Sequence, residues 1–126
     1  MTGGLIKDSV SDTILMAEFA PDGAPTNWKE IAKLPTPLWF HGAAIMDNWL
    51  YVWGGLSSRG TSGANPQIMA AQIRNDGSLG NWFLAGTMPV PVYSAAFCGF
   101  NDYLVSVAGR IDGRTPTDQI SFCRLE

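Results

Sequence analysis

Short apolar runs punctuated by Gly, Pro, Asn and Asp set the rhythm of this chain. In its middle they fall at about residues 40 to 46, 49 to 54, 67 to 73 and 81 to 85. Runs of that length closed by turn-formers predict strands. Nowhere do apolar residues keep a helical period for three turns, and Pro21, Pro25, Pro35 and Pro37 interrupt the stretch around Trp28-Lys29-Glu30-Ile31-Ala32-Lys33. Almost no helix is expected. Between the first two runs, Asp47-Asn48 supplies residues that tolerate the left-handed backbone of a tight turn, so those runs form a hairpin.

The pattern repeats. Asp22-Gly23 returns as Asp76-Gly77, Asn27-Trp28 as Asn81-Trp82, Leu34-Pro35 as Met88-Pro89 and Pro37 as Pro91, every pair displaced by 54 positions. Trp39 maps in the same way onto Tyr93, Trp49 onto Tyr103, Leu50 onto Leu104 and Gly55 onto Gly109. The third-strand piece occurs three times, beginning at Thr13-Ile14, Gln67-Ile68 and, after a loop shorter by two, Gln119-Ile120. Four-strand units at such a period, each with a glycine turn and a placed Trp, are the sequence mark of propeller blades.

The stretch His41-Gly42-Ala43-Ala44-Ile45-Met46-Asp47-Asn48-Trp49-Leu50-Tyr51-Val52-Trp53-Gly54-Gly55, followed by a loop, a strand and then Trp82 and Met88-Pro89, resembles the kelch repeat. The resemblance covers nearly the whole chain and extends to kelch-like repeats of bacterial and phage proteins. It implies an all-β fold of kelch-type β-propeller blades, four-stranded antiparallel sheets, with a partial blade at 1–37, a full one at 38–91 and a partial one at 92–126. The last unit departs from the pattern, with Ala95 at the His position, Val105 at the Tyr position and Ala108-Gly109-Arg110 after the second strand.

Composition narrows the partners. With 46% apolar and 15% charged residues, the chain of 126 residues can bury a core of single-domain size. A net charge of −3 and no run of Lys or Arg leave no basic footprint for nucleic acid or an anionic membrane. No apolar run reaches membrane-spanning length, and the first residues lack the features of a signal peptide. Cys98 and Cys123, with a single His in the chain, offer too few soft ligands for a metal site, so no metal and no cofactor are expected. Both cysteines are expected as buried free thiols.

Candidate residues divide into framework and rim. Gly54 and Gly55 are expected to end the second strand in a sharp turn where a Cβ would collide with the neighbouring blade. Trp28 and Trp82 open the outer strand, where an indole can cover the gap between adjacent sheets. A ligand platform is the alternative for them, disfavoured by their identical placement in two units. His41 and Tyr51 occupy positions that the kelch resemblance makes structural, and His41 lacks an evident catalytic partner. Function is expected in the loops between the glycine turn and the third strand, residues 7–12, 56–65 and 110–118, which should gather on one face. There Arg59, Arg110, Asp112 and Arg114 are candidates to hold a carboxylate, sugar or peptide group.

Read in blade units, the chain starts at a glycine turn and stops after a third strand, about nine strands, too few to close a ring. Self-association as a dimer or trimer is therefore expected, with one third strand left over. A segment of a longer propeller, whose Leu125-Glu126 could be foreign, is the rival account. The expected function is a non-catalytic binding or assembly module, with protein or glycan held by rim loops. The alternatives are a piece of a carbohydrate-active enzyme, through the resemblance to galactose oxidase and sialic acid mutarotase propellers, and a purely structural repeat. One His argues against copper chemistry, and Arg59, Arg110 and Arg114 alone make a thin mutarotase site.

Overall fold

A computed structural model describes residues 1–60 and 62–125. Thr61, within the second rim loop, and Glu126 lie outside the described residues. The described chain is all-β apart from one 3-10 turn at Asp112–Arg114.

The strands are β1 (Leu5–Ile6), β2 (Ser9–Val10), β3 (Thr13–Phe19), β4 (Pro25–Lys33), β5 (Gly42–Met46), β6 (Trp49–Trp53), β7 (Gln67–Gln72), β8 (Phe83–Thr87), β9 (Ala96–Phe100), β10 (Tyr103–Val107) and β11 (Ile120–Arg124). They form antiparallel sheets in the orders β3-β4, β5-β6-β7-β8 and β11-β10-β9, with β1-β2 a small hairpin that leads from the glycine turn into the first rim loop. Residues 1 and 2 begin a further strand on β3, Thr2 bridging Ile14 as Trp53 pairs with Ile68 and Val107 with Ile120. The sheets stand open and do not close into a ring.

Local chemistry explains the elements. Asp47 and Asn48 carry φ of 47° and 62°, the left-handed pair that a two-residue hairpin requires, and β5 pairs with β6 across it without a slip. Pro25 sits at the start of β4, an outer strand where its missing N–H breaks no ladder. The fourth strand of the middle sheet starts at Phe83 rather than Asn81, because Trp82 turns aside to bond the neighbouring sheet.

The core is divided between the joints of successive sheets. Ile14, Leu34, Leu38, Leu50 and Val52 cluster between the first two, and Trp53, Ile68, Met88, Val92 and Leu104 between the second and third. Four of these pairs, Ile14 with Ile68, Leu34 with Met88, Leu38 with Val92 and Leu50 with Leu104, are repeat mates, so one packing solution is used twice. Trp53 adds a buried hydrogen bond from its indole N–H to Ser106 Oγ at 2.9 Å and an edge-on contact with Phe97 at 5.5 Å.

A repeated glycine turn sews the joints. Gly4 N–H donates to Leu38 O at 2.7 Å, and its mate Gly55 donates to Val92 O at 3.0 Å, each reaching the following sheet. Gly54 and Gly55 have φ of 68° and 80°. A Cβ on Gly54 would lie 2.7 Å from Val92 O, and one on Gly55 would lie 2.6 Å from His41 Cβ. Only glycine fits both the backbone and the space.

Two expectations are corrected. Cys98 is an exposed thiol and Cys123 a half-buried one. Cys98 lies on β9, the first strand of the last sheet, where among the described residues no further sheet covers it, whereas its mate Ala44 packs against the second cluster. Trp28 is 53% exposed rather than wedged between sheets. Among the described residues, the only sheet before β3-β4 in the chain is the small β1-β2 hairpin, and no blade sheet precedes it for Trp28 to cover.

Candidate functional site: a basic, aromatic hollow on the loop rim

Direct bonds tie the three rim loops together in chain order. Arg59 Nη1 donates to Asp8 Oδ1 at 2.8 Å, joining the second loop to the first. Gly63 N–H donates to Asp112 Oδ1 at 3.1 Å, joining the second to the third.

Between the second and third loops lies an open hollow of about 760 Å³, lined by Arg59, Arg110 and Arg114 over Trp39, Phe40 and Tyr93. The floor follows from the repeat. Trp39 bridges Leu56 and its mate Tyr93 bridges Arg110, so each sheet brings one aromatic residue to the foot of its own rim loop. Trp39 is held by its indole N–H on Ser58 O at 2.9 Å and stacks on Phe40 at 4.3 Å.

The structure thus brings three of the four candidate residues into one hollow and leaves the fourth out. Asp112 Oδ1 accepts the Gly63 N–H, so this carboxylate holds the loop and is absent from the lining. Arg114 has φ of 70° and follows Gly113 at 66°, a left-handed pair that turns its side chain back to the hollow. Arg59 is partly satisfied by Asp8. Among the described residues, Arg110 and Arg114 make no ion pair. The hollow is therefore a cationic cup with an aromatic base. Planar guanidinium forks suit carboxylates, and the rings offer flat apolar area. Sequence reading missed the base, although the displacement that maps Trp39 onto Tyr93 was a signal for it.

His41 stands apart from the hollow, at the joint of the first two sheets. Its Nε2 lies 2.9 Å from Thr2 Oγ1, and a Cβ on Gly3 would come within 2.8 Å of its Cε1. Burial pushes the imidazole below its ordinary value, against the smaller upward pull of Thr2. The Nδ1 atom is buried without a hydrogen-bond partner among the described residues. Tyr51 lies on β6, paired with Ala44 and Ala70, its phenol raised by burial and by the Asp47 carboxylate. Trp82 donates its indole N–H to Lys33 O at 2.9 Å and packs on the first core cluster.

A four-stranded antiparallel sheet between a two-stranded and a three-stranded one, set side by side on glycine turns, is an all-β arrangement of kelch-type blades, open rather than closed. No protein-family model matches the chain. The chain is similar to Kelch-like protein 13 of Bos taurus and of Homo sapiens, 30% identical to each over 91 residues, 71% of this chain. It spans 14% of the length of these curated relatives.

Proposed function

We propose that this chain is a non-catalytic binding and assembly module whose rim hollow takes a carboxylate-bearing segment of a protein partner. The observation that carries the proposal is the convergence of Arg59, Arg110 and Arg114 over Trp39 and Tyr93, from loops otherwise tied to one another. The lining offers three guanidinium forks beside the flat rings of Trp39, Phe40 and Tyr93, an arrangement that supports holding a carboxylate. An acidic sugar offers the same carboxylate and is the competing ligand. In this reading residues 1–37, 38–91 and 92–126 are a partial, a full and a partial blade, and copies of the chain close the propeller together as a dimer or trimer.

The test is binding of acidic peptides, matched amide peptides and an array of acidic and neutral glycans to the chain and its arginine variants. Arg110→Ala and Arg114→Ala should each weaken acidic-peptide binding about tenfold or more, the loss of a charge-assisted hydrogen bond. Arg59→Ala should cost less, because Asp8 already engages that side chain. Binding should weaken with added salt. Equal binding of acidic and amide peptides, or binding indifferent to all three arginines, would overturn the proposal.

A further inference from the structure

The seat that Trp82 fills is built a second time. Between the first two sheets the Trp82 indole donates to Lys33 O and rests on a cluster containing Ile14, Leu34 and Leu50. The repeat mates of these four residues are Thr87, Ile68, Met88 and Leu104. All four line one cavity of about 140 Å³ between the second and third sheets, beside β11. That cavity is the indole seat of the next joint, with the same apolar walls and the corresponding carbonyl.

Beside it, β11 is an edge strand, whereas β3 and β7, the other copies of its sequence, are each paired with an outer strand. The exposure of one repeated residue records the difference. Ile14 and Ile68 are each 2% exposed, and Ile120 is 66% exposed. An outer strand carrying an indole would satisfy the edge and the cavity at once. This chain presents such a strand at its opposite face. Trp28 stands five positions after Gly23, as Trp82 does after Gly77, and it is exposed.

We propose that the edge of β11 and its cavity seat β4 of a second copy of this chain, with Trp28 of that copy entering the cavity and donating its indole N–H to Thr87 O. β4 reaches that edge by exchanging β3 for β11, two copies of one repeat piece. The backbone ladder it loses resembles the one it gains, and Ile120 takes the buried place that Ile14 of the displaced β3 gives up, so the net gain is burial of the indole. The contact is head-to-tail, so a small number of copies must close it. This rests on the reading that copies of the chain complete the propeller together.

Light scattering across a concentration series, with a labelled peptide of residues 20–36 as a second probe, tests the seat. The chain should form a dimer or trimer, and the peptide should bind the chain and dissociate the assembly. Trp28→Ala and Ile120→Asp should each weaken association about a hundredfold, the scale of a buried aromatic anchor. A Trp28→Ala peptide should not bind. A defined oligomer indifferent to both substitutions would overturn the seat while leaving self-association standing. A monomer at every concentration that ignores the peptide would overturn both. A monomer that binds the peptide would overturn the second copy as occupant.

Discussion

Two tryptophans in equivalent strands show what repetition does and does not determine. Trp82 is bonded to Lys33 O and packed on the first core cluster, whereas Trp28, in the same local sequence, is 53% exposed. The local sequence makes the same outer-strand pairing over residues 29–33 and 83–87, although Trp28 lies inside β4 and Trp82 stands just before β8. Burial comes from the neighbouring sheet, which is present for one and absent for the other. In a blade stack most stabilisation belongs to the joints, as in other quasi-linear repeat folds.

The sharpest way to break the comparison is to place a Cβ in the packed space of one glycine turn and then in the open space beside its repeat mate. Gly55→Ala combines a φ of 80° with a Cβ 2.6 Å from both His41 Cβ and Trp39 O. It should cost about 3 kcal/mol, the sum of left-handed strain and overpacking. Gly4→Ala has φ of 102° and nothing within 4 Å, so only the backbone strain remains, about 1 kcal/mol. Urea unfolding of both variants measures the gap. Equal losses would mean that the joint does not close as tightly as these distances require.

The indoles themselves give the next effect. Trp82→Ala should destabilise the dilute chain by about 2 kcal/mol, less than a fully buried Trp because its ring is partly exposed. Trp28→Ala, measured below any association, should stay within about 0.5 kcal/mol of the parent. If the two losses match in dilute solution, the difference in environment carries no energetic weight.

Much of this architecture is legible in the amino-acid sequence. The displacement of 54 residues, the Asp47-Asn48 turn and the glycine pair each have a local cause, in turn chemistry or in side-chain alternation. So nine of the strands stand where turn-formers and apolar runs put them. The illegible parts depend on what lies across a joint or between loops. Asp112 reads as a candidate ligand until its carboxylate is seen on the Gly63 amide. Cys98 reads as buried until β9 is seen to lack a neighbouring sheet on its far face. The bond between Thr2 and His41 joins residues 39 apart, a separation at which neither residue type signals the other. The arginine cup was half legible: its residues could be named, but their convergence with Trp39 and Tyr93 depends on loop geometry.

The smallest expected effect concerns the chain's one histidine and the alanine that replaces it in the next sheet. His41 lies in the joint with its imidazole held neutral below its ordinary 6.5, mainly by burial, so unfolding releases it to bind a proton more readily. Its contribution to stability is therefore complete above pH 6.5 and declines as pH falls from there toward the depressed folded value. The slope cannot exceed about 1.4 kcal/mol per pH unit, the limit for one proton. At the repeat-equivalent position Ala95 meets the glycine turn in the same way, its Cβ 2.7 Å from where a Cβ on Gly109 would stand. His41→Ala imposes that arrangement on the first joint. It should remove the decline attributable to the imidazole between pH 6.5 and 5 while leaving the glycine turn intact. Chemical denaturation across that range measures both slopes. Identical slopes would show that the imidazole is as hydrated in the fold as in the unfolded chain, and that this joint is looser than its neighbour.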